Sequence, residues 1–67
     1  MNNNPHIKIL ILNYNGEEII YRCLESVFNI DYDNYSVDVI DNGSTDNSIK
    51  IITESFHDAN LYKINSQ

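Results

Sequence analysis

Asp41, Asn42, Gly43, Ser44, Thr45 and Asp46 follow directly on the apolar pair Val39-Ile40. A carboxylate at the carboxyl end of a strand can accept hydrogen bonds from a ligand's ring N–H or ribose hydroxyls, and open α/β sheets bind their ligands at that rim. Asp41 can equally close an Asx turn or cap the helix that follows. Asn42 both donates and accepts, so it can read a base edge; it also tolerates a left-handed backbone before Gly43. Gly43 is a turn residue, since glycine reaches positive φ without penalty. Ser44, Thr45 and Asp46 read as helix-capping groups before they read as ligand contacts.

A second junction of the same form runs from Ile9 to Gly16, Ile-Leu-Ile-Leu-Asn-Tyr-Asn-Gly. Tyr14 falls just past the apolar run, next to where Asp41 is expected in a neighbouring strand. A ring there could stack on a nucleobase, an interaction of about 1–3 kcal/mol in single-stranded nucleic acid complexes; simple packing is the plain alternative. Asn13 and Asn15 are turn formers. Other chemistries are missing. With Gly16 and Gly43 the only glycines, neither a dinucleotide fingerprint nor a P-loop can be built. His6 and His57 lack metal-ligand spacing, and no nucleophile elbow or His-based triad is legible.

The elements that must position these residues alternate. A strand is expected over residues 6–13, with Ile7, Ile9 and Ile11 on one face and Lys8, Leu10 and Leu12 on the other. Apart from Lys8 both faces are apolar, the mark of a central parallel strand. A helix is expected over about residues 17–29, with Glu17 and Glu18 in its first turn, where the dipole favours anions. Ile20, Leu24, Val27 and Phe28 recur at helical spacing, and Ile19 and Cys23 widen the stripe. Cys23 on that stripe is expected to be a buried structural thiol. A second strand covers residues 35–41, with Val37 and Val39 inward and Asp38 partly exposed on the other face. A second helix begins near Ser44 or Thr45 and ends near Phe56, with Ile49, Ile52 and Phe56 as its core stripe. Leu61 to Ile64 make a third, weaker strand. The pattern is α/β, a β-α-β-α-β parallel three-stranded sheet with right-handed crossovers. Strands progressing in one direction put both helices on one face and leave the other face bare.

Size and charge bound the rest. The 67 residues allow one small domain, and a chain of this length buries only about 60% of the surface its unfolded form exposes. The net charge of −6, with only Lys8, Arg22, Lys50 and Lys63 as basic residues, argues against nucleic acid, whose phosphates need Lys and Arg. It also argues against a direct grip on anionic lipid. One cysteine excludes an internal disulfide and a cysteine zinc site. The polar start, Met1 to Pro5, is expected to fray and is no signal peptide. No apolar run approaches the roughly 20 residues of a membrane helix.

Four segments in this order and spacing carry a resemblance: Ile9–Gly16; Cys23-Leu24-Glu25-Ser26-Val27; Asp33-Asn34-Tyr35; and Val39–Ser48. Together they resemble the start of family 2 glycosyltransferases of the GT-A (Rossmann-like) fold, over about residues 7–64. The Asp-Asn-Gly-Ser-Thr-Asp version looks most like the rhamnosyltransferase-like branch. The resemblance implies that residues 1–67 are the amino-terminal, nucleotide-sugar-binding part of a glycosyltransferase domain that continues beyond them. It implies base contacts from the backbone near Leu12 and the ring of Tyr14, and anchoring of base or ribose by Asp41. Many members carry an acid at the position of Asn42, where it often contacts the base; the amide here leaves uridine, thymidine and guanosine nucleotides open. The implied partners are a nucleotide-diphosphate sugar and a saccharide or lipid-linked acceptor. The implied cofactor is Mn²⁺ or Mg²⁺, held in full-length members by an Asp-x-Asp motif that, like the catalytic base, lies farther along. No catalytic or metal residue is therefore carried over, and the 67 residues alone are expected not to transfer sugar. A cytoplasmic location is implied, the inner face of the membrane included for a full-length protein.

From a different class comes the alternative of a small acidic receiver-like signalling or interaction domain, with Asp41 as phosphoacceptor. Its weakness is the neutral Asn13-Tyr14-Asn15, where a receiver needs acids. A degenerate gene piece without activity is the third reading.

Overall fold

The structure is a computed structural model that describes residues 4–64. Most of the start expected to fray, Met1 to Asn3, lies outside the described residues. Asn4 and Pro5 are tied down: the carbonyl of Asn4 accepts from Asn34 Nδ2 at 2.6 Å, and the carbonyl of Pro5 accepts from the Tyr32 hydroxyl.

The chain runs β1 (Ile7–Asn13), α1 (Ile20–Val27), β2 (Tyr35–Asn42), α2 (Ser48–Ser55) and β3 (Ala59–Ile64). Both strand pairs are parallel, in the order β1-β2-β3. The β-α-β-α-β architecture expected from the alternating pattern is therefore present. The register sets Asn13 beside Asp41 and Leu12 beside Ile40. β1, whose two apolar faces predict a central strand, lies at a sheet edge among the described residues.

Both helices pack on one face. Ile20 and Leu24 of α1 and Ile52 of α2 bury against Val37 and Val39. Ile9, Ile11, Val27, Phe28, Ile51, Phe56 and Leu61 close around them. Each fully buried aliphatic side chain contributes about 1.5–3 kcal/mol. On the far face Leu10 is 58% exposed, Leu12 77%, Tyr62 52% and Ile64 50%, the bare surface that the topology requires. There Asp38 departs from expectation, at 6% exposed. It accepts from Asn60 Nδ2 at 3.0 Å and pairs with Lys8 at 3.4 Å, so its two row neighbours cover the carboxylate.

The helix boundaries are the main corrections. α1 starts at Ile20, not Glu17, because Asn15 turns left-handed (φ 49°) and Gly16 O accepts from the N–H groups of Ile19 and Ile20 at 2.9 and 2.8 Å. Glu17 and Glu18 lie in that turn, ahead of the first helical residue. Cys23 is exposed, as is Ile19. The helix meets a single sheet face, so the seam is the narrow stripe Ile20-Leu24-Val27, and residues one step earlier rotate about 100° off it. α2 starts at Ser48 instead of Ser44 or Thr45, because the intervening N–H groups are taken by side chains described below. Its buried residues are Ser48 and Ile52, while Ile49 is only half-buried.

Candidate functional site

The β1–α1 and β2–α2 loops meet at the carboxyl edge of the sheet, and side-chain alternation divides their residues between two sides. On the helix side stands a closed polar knot. Asn13 is 4% exposed, Asp41 2% and Ser48 0%. Asn13 Nδ2 donates to Asp41 Oδ1 (2.8 Å), Ser48 Oγ (3.0 Å) and, at longer reach, Ser44 Oγ (3.3 Å). The Ser44 hydroxyl donates to Asp41 Oδ1 (2.5 Å), and the Ser44 N–H donates to Asp41 Oδ2 (2.9 Å). Ser44 Oγ in turn accepts the N–H of Asn15 at 2.8 Å.

A second carboxylate extends the knot outward. Asp46 Oδ1 accepts from the N–H and hydroxyl of Ser48 (2.9 and 2.6 Å), and Asp46 Oδ2 accepts the Glu17 N–H (3.0 Å). Asn15 Oδ1 accepts from the N–H groups of Thr45 and Asp46 (2.8 and 3.3 Å), and Glu17 Oε1 from that of Asn47 (3.0 Å). Each loop therefore satisfies backbone donors of the other, which otherwise would cost free energy when buried. Among the described residues no buried side-chain polar atom lacks a partner. Gly16 is required by close approach: a Cβ there would run into Asn13 Oδ1. Gly43 is required by its backbone, at φ +79°.

The acids of the knot stay ionised. Burial pushes the Asp41 carboxyl up, but the Ser44 hydroxyl and N–H, the Asn13 amide and the Gly43 N–H outweigh it and hold the pKa below the usual 3.8. The Ser48 hydroxyl, against a smaller opposing effect of desolvation and with help from the N–H groups of Ser48 and Glu17, lowers that of Asp46.

On the opposite side lies a recess of about 290 Å³, lined by Leu12, Asn13, Tyr14, Ile40, Asn42 and Ile64. Three of the residues singled out by sequence, Leu12, Tyr14 and Asn42, thus share one cavity. Asp41 is turned the other way, with its carboxylate engaged in the knot. The register makes it a neighbour of Asn13 across the ladder. The receiver-like reading needs an accessible acid at Asp41, and this one is 2% exposed. Asn42 is exposed and is not one of the residues with positive φ, which are Asn15 and Gly43.

The recess residues that motif reading passes over are Ile40 and Ile64. Their signal was the period-2 alternation that places them with Leu12 and Asn42. Among the knot members, Ser44 and Asp46 carried only the weak signal of being capping types, Asn13 that of a turn former, and Ser48 was not singled out. Among the described residues no group of three or more His, Cys, Asp or Glu could hold a metal ion. No helix among them is long and apolar enough to cross a membrane.

Comparison with known proteins agrees with this arrangement. The sequence model of glycosyl transferase family 2 matches residues 8–65, from the second residue of β1 to just past the end of β3. Over 50 residues, 72% of this chain, the sequence is 42% identical to dolichyl N-acetyl-alpha-D-glucosaminyl phosphate 3-beta-D-2,3-diacetamido-2,3-dideoxy-beta-D-glucuronosyltransferase of Methanococcus voltae, covering 16% of that protein. Over 54 residues, 81% of this chain, it is 33% identical to an uncharacterized glycosyltransferase of Haemophilus influenzae, covering 17% of that protein. The chain thus spans a small fraction of the length of the curated relatives it matches.

Proposed function

The chain belongs to glycosyl transferase family 2, and from that premise we propose that it carries the donor-nucleotide site of an enzyme that moves a sugar from a nucleotide diphosphate to an acceptor hydroxyl. The fold fits the first, nucleotide-binding half of a GT-A domain. The observation that carries the proposal is the recess: an aromatic ring, two amides and three aliphatic side chains around one cavity at the carboxyl ends of parallel strands, the edge where such sheets take ligands.

In this reading the Tyr14 ring stacks on the base and Leu12 supports it from the strand. Asn42 meets the polar edge of the base. Asp41 serves from behind: it fixes the β2–α2 loop through Ser44 and the end of β1 through Asn13, so the recess keeps its shape when empty. A site preorganised in this way loses less free energy to ordering on binding.

The saccharide or lipid-linked acceptor and the catalytic base are assigned to no residue here. Mn²⁺ or Mg²⁺ finds no ligand set among the described residues. Both rim acids, Asp41 and Asp46, already accept from donors of their own loops, so the 67 residues alone are expected to bind nucleotide without transferring sugar. The location proposed for the activity is cytoplasmic.

Titration with UDP, dTDP and GDP, followed by amide chemical shifts, tests the site. The expected result is perturbation at Leu12, Tyr14 and Asn42, with the aromatic cluster of Phe28, Tyr35 and Phe56 at the other end of the sheet unmoved. A folded chain silent to all three nucleotides would sink the proposal.

A further inference from the structure

We propose that Ser36 is an acyl-accepting nucleophile, with His6 as its general base and Asn34 as the residue that orients His6, and that its substrates are small esters with good leaving groups. The site lies at the amino ends of the strands. Ser36 is the second residue of β2 and Asn42 the last, so about 20 Å of strand separates it from the recess. The inference therefore stands apart from the donor-binding reading.

His6 bridges two side chains. Its Nε2 lies 3.0 Å from Ser36 Oγ, and its Nδ1 lies 3.0 Å from Asn34 Oδ1. Which nitrogen carries the proton follows from Asn34. Its Nδ2 donates to the carbonyl of Asn4 at 2.6 Å. A carbonyl can only accept, so the amide cannot be turned over and Oδ1 must face the ring. Oδ1 also only accepts, so neutral His6 is protonated on Nδ1. Nε2 then presents a lone pair to Ser36, and the hydroxyl donates to it. A serine hydroxyl on a histidine whose far nitrogen is held by a side-chain oxygen is an activated nucleophile. The chain on both sides of His6 is fixed: the Ile7 N–H donates to the Asn34 carbonyl at 3.0 Å, and the Pro5 carbonyl accepts from the Tyr32 hydroxyl. His6 is exposed and Ser36 half-buried, so a small ester reaches the pair from solvent. Spacing hides the set from sequence reading, because His6 and Ser36 stand 30 residues apart.

In the first step Ser36 Oγ forms a bond to the acyl carbon while its proton passes to His6 Nε2. The tetrahedral oxyanion collapses, the bond from carbon to the leaving oxygen breaks, and the leaving group departs with that electron pair. Lys8, the register partner of Ser36, brings a cation to the same face, the sign that a developing oxyanion requires. His6 then loses its extra proton to solvent. Water attacks the ester on Ser36 with Nε2 again as base, and releases the acid and the free serine.

The test is incubation of the 67-residue chain with p-nitrophenyl acetate, acid quenching at intervals, and peptide mass spectrometry to locate and time each acetyl group. Amide-shift dispersion confirms that each variant is folded. Ser26, exposed on α1, is the internal control. Ser36 is expected to acetylate at least about 100-fold faster than Ser26, the lower end of what a positioned base contributes. His6→Ala is expected to remove that advantage. His6→Gln, whose amide can still bridge but takes no proton, is expected to do the same. Asn34→Ala is expected to slow Ser36 by about tenfold, the scale of one hydrogen bond, and to move the ring ¹⁵N signals of His6 from the Nδ1–H form toward a mixture of tautomers, which a merely structural role would not do. Acetyl groups confined to lysines, the amino terminus and Cys23, a Ser36 rate no faster than that of Ser26, or a Ser36 rate unchanged in folded His6→Gln would each overturn the inference and leave the donor-binding reading untouched.

Discussion

Leu12 and Asn13 are adjacent in the chain, yet Leu12 is 77% exposed and Asn13 4%. The same division falls between Asp41, 2% exposed, and its exposed neighbour Asn42. One residue of each pair hydrogen-bonds within the knot, and the other opens onto the recess, whose border Asn13 also reaches. The knot leaves no buried side-chain polar atom without a partner among the described residues; the recess leaves aliphatic and aromatic surface open. An acid at the carboxyl end of a strand invites a role in ligand contact, but here the acid faces inward and the amide next to it faces the cavity. Stability is concentrated on one side of the backbone and, in the reading proposed here, recognition on the other.

The sharpest way to break that division is Asp41→Ala. It removes the acceptor for the Ser44 hydroxyl, the Ser44 N–H and one Asn13 hydrogen. Each buried donor left unpaired costs about 1–3 kcal/mol. In a domain this small that is expected to abolish the cooperative melt in circular dichroism, with nucleotide binding lost only as a consequence. A retained melt with lost binding would move Asp41 into the recess.

Acid should produce a milder form of the same break. A carboxyl whose folded pKa lies below its unfolded value contributes stability that is fully present above the unfolded value and is lost as pH falls through the folded one. For Asp41 and Asp46, both lowered from 3.8, the melting temperature should hold down to about pH 4 and then fall. A protein in which both acids are replaced by amides should show a weaker decline below pH 4. An equal decline would assign the acid sensitivity to other carboxylates.

Gly16→Ala pushes a methyl group against Asn13 Oδ1, an amide that cannot swing away without releasing three acceptors. Overpacking of this kind costs about 1–3 kcal/mol, to be read from urea midpoints. The smallest effect on stability should come from the recess side. Leu12→Ser and Tyr14→Ala, at exposed positions, should each shift stability by no more than about 0.5 kcal/mol. Tyr14→Ala should nevertheless weaken nucleotide binding by about 1–3 kcal/mol if the ring stacks on the base. Equal losses of stability on the two sides would erase the distinction between knot and recess.

Much of the fold was legible because periodicity follows from backbone geometry. Ile9 and Ile11 alternate with Leu10 and Leu12, and Ile20, Leu24 and Val27 recur at helical spacing, so element order and parallel pairing could be read directly. The helix starts could not. Ser44, Thr45 and Asp46 are capping types by local chemistry, but their N–H groups went to Asp41 and to Asn15 of the other loop, a partner about thirty residues away that no local rule supplies. Cys23 and Ile19 looked like core because helical spacing does not say how wide a face the sheet will cover. Of the candidate site, Tyr14 and Asn42 were visible by type; Ile40 and Ile64 entered only with the register.

What the sequence determined by itself is the alternation of strands and helices, the two glycine turns and the clustering of hydrogen-bonding side chains at strand ends, since these depend on neighbours a few residues apart. The tertiary structure decided which way each of those side chains faces. Asn13 and Asp41 became partners because the parallel register of β1 and β2 sets them side by side on the face the helices cover. Leu12 and Asn42 became a cavity wall because the pleat turns every second residue to the other side. That choice depends on contacts between loops distant in the chain, and those contacts exist only once the sheet has formed.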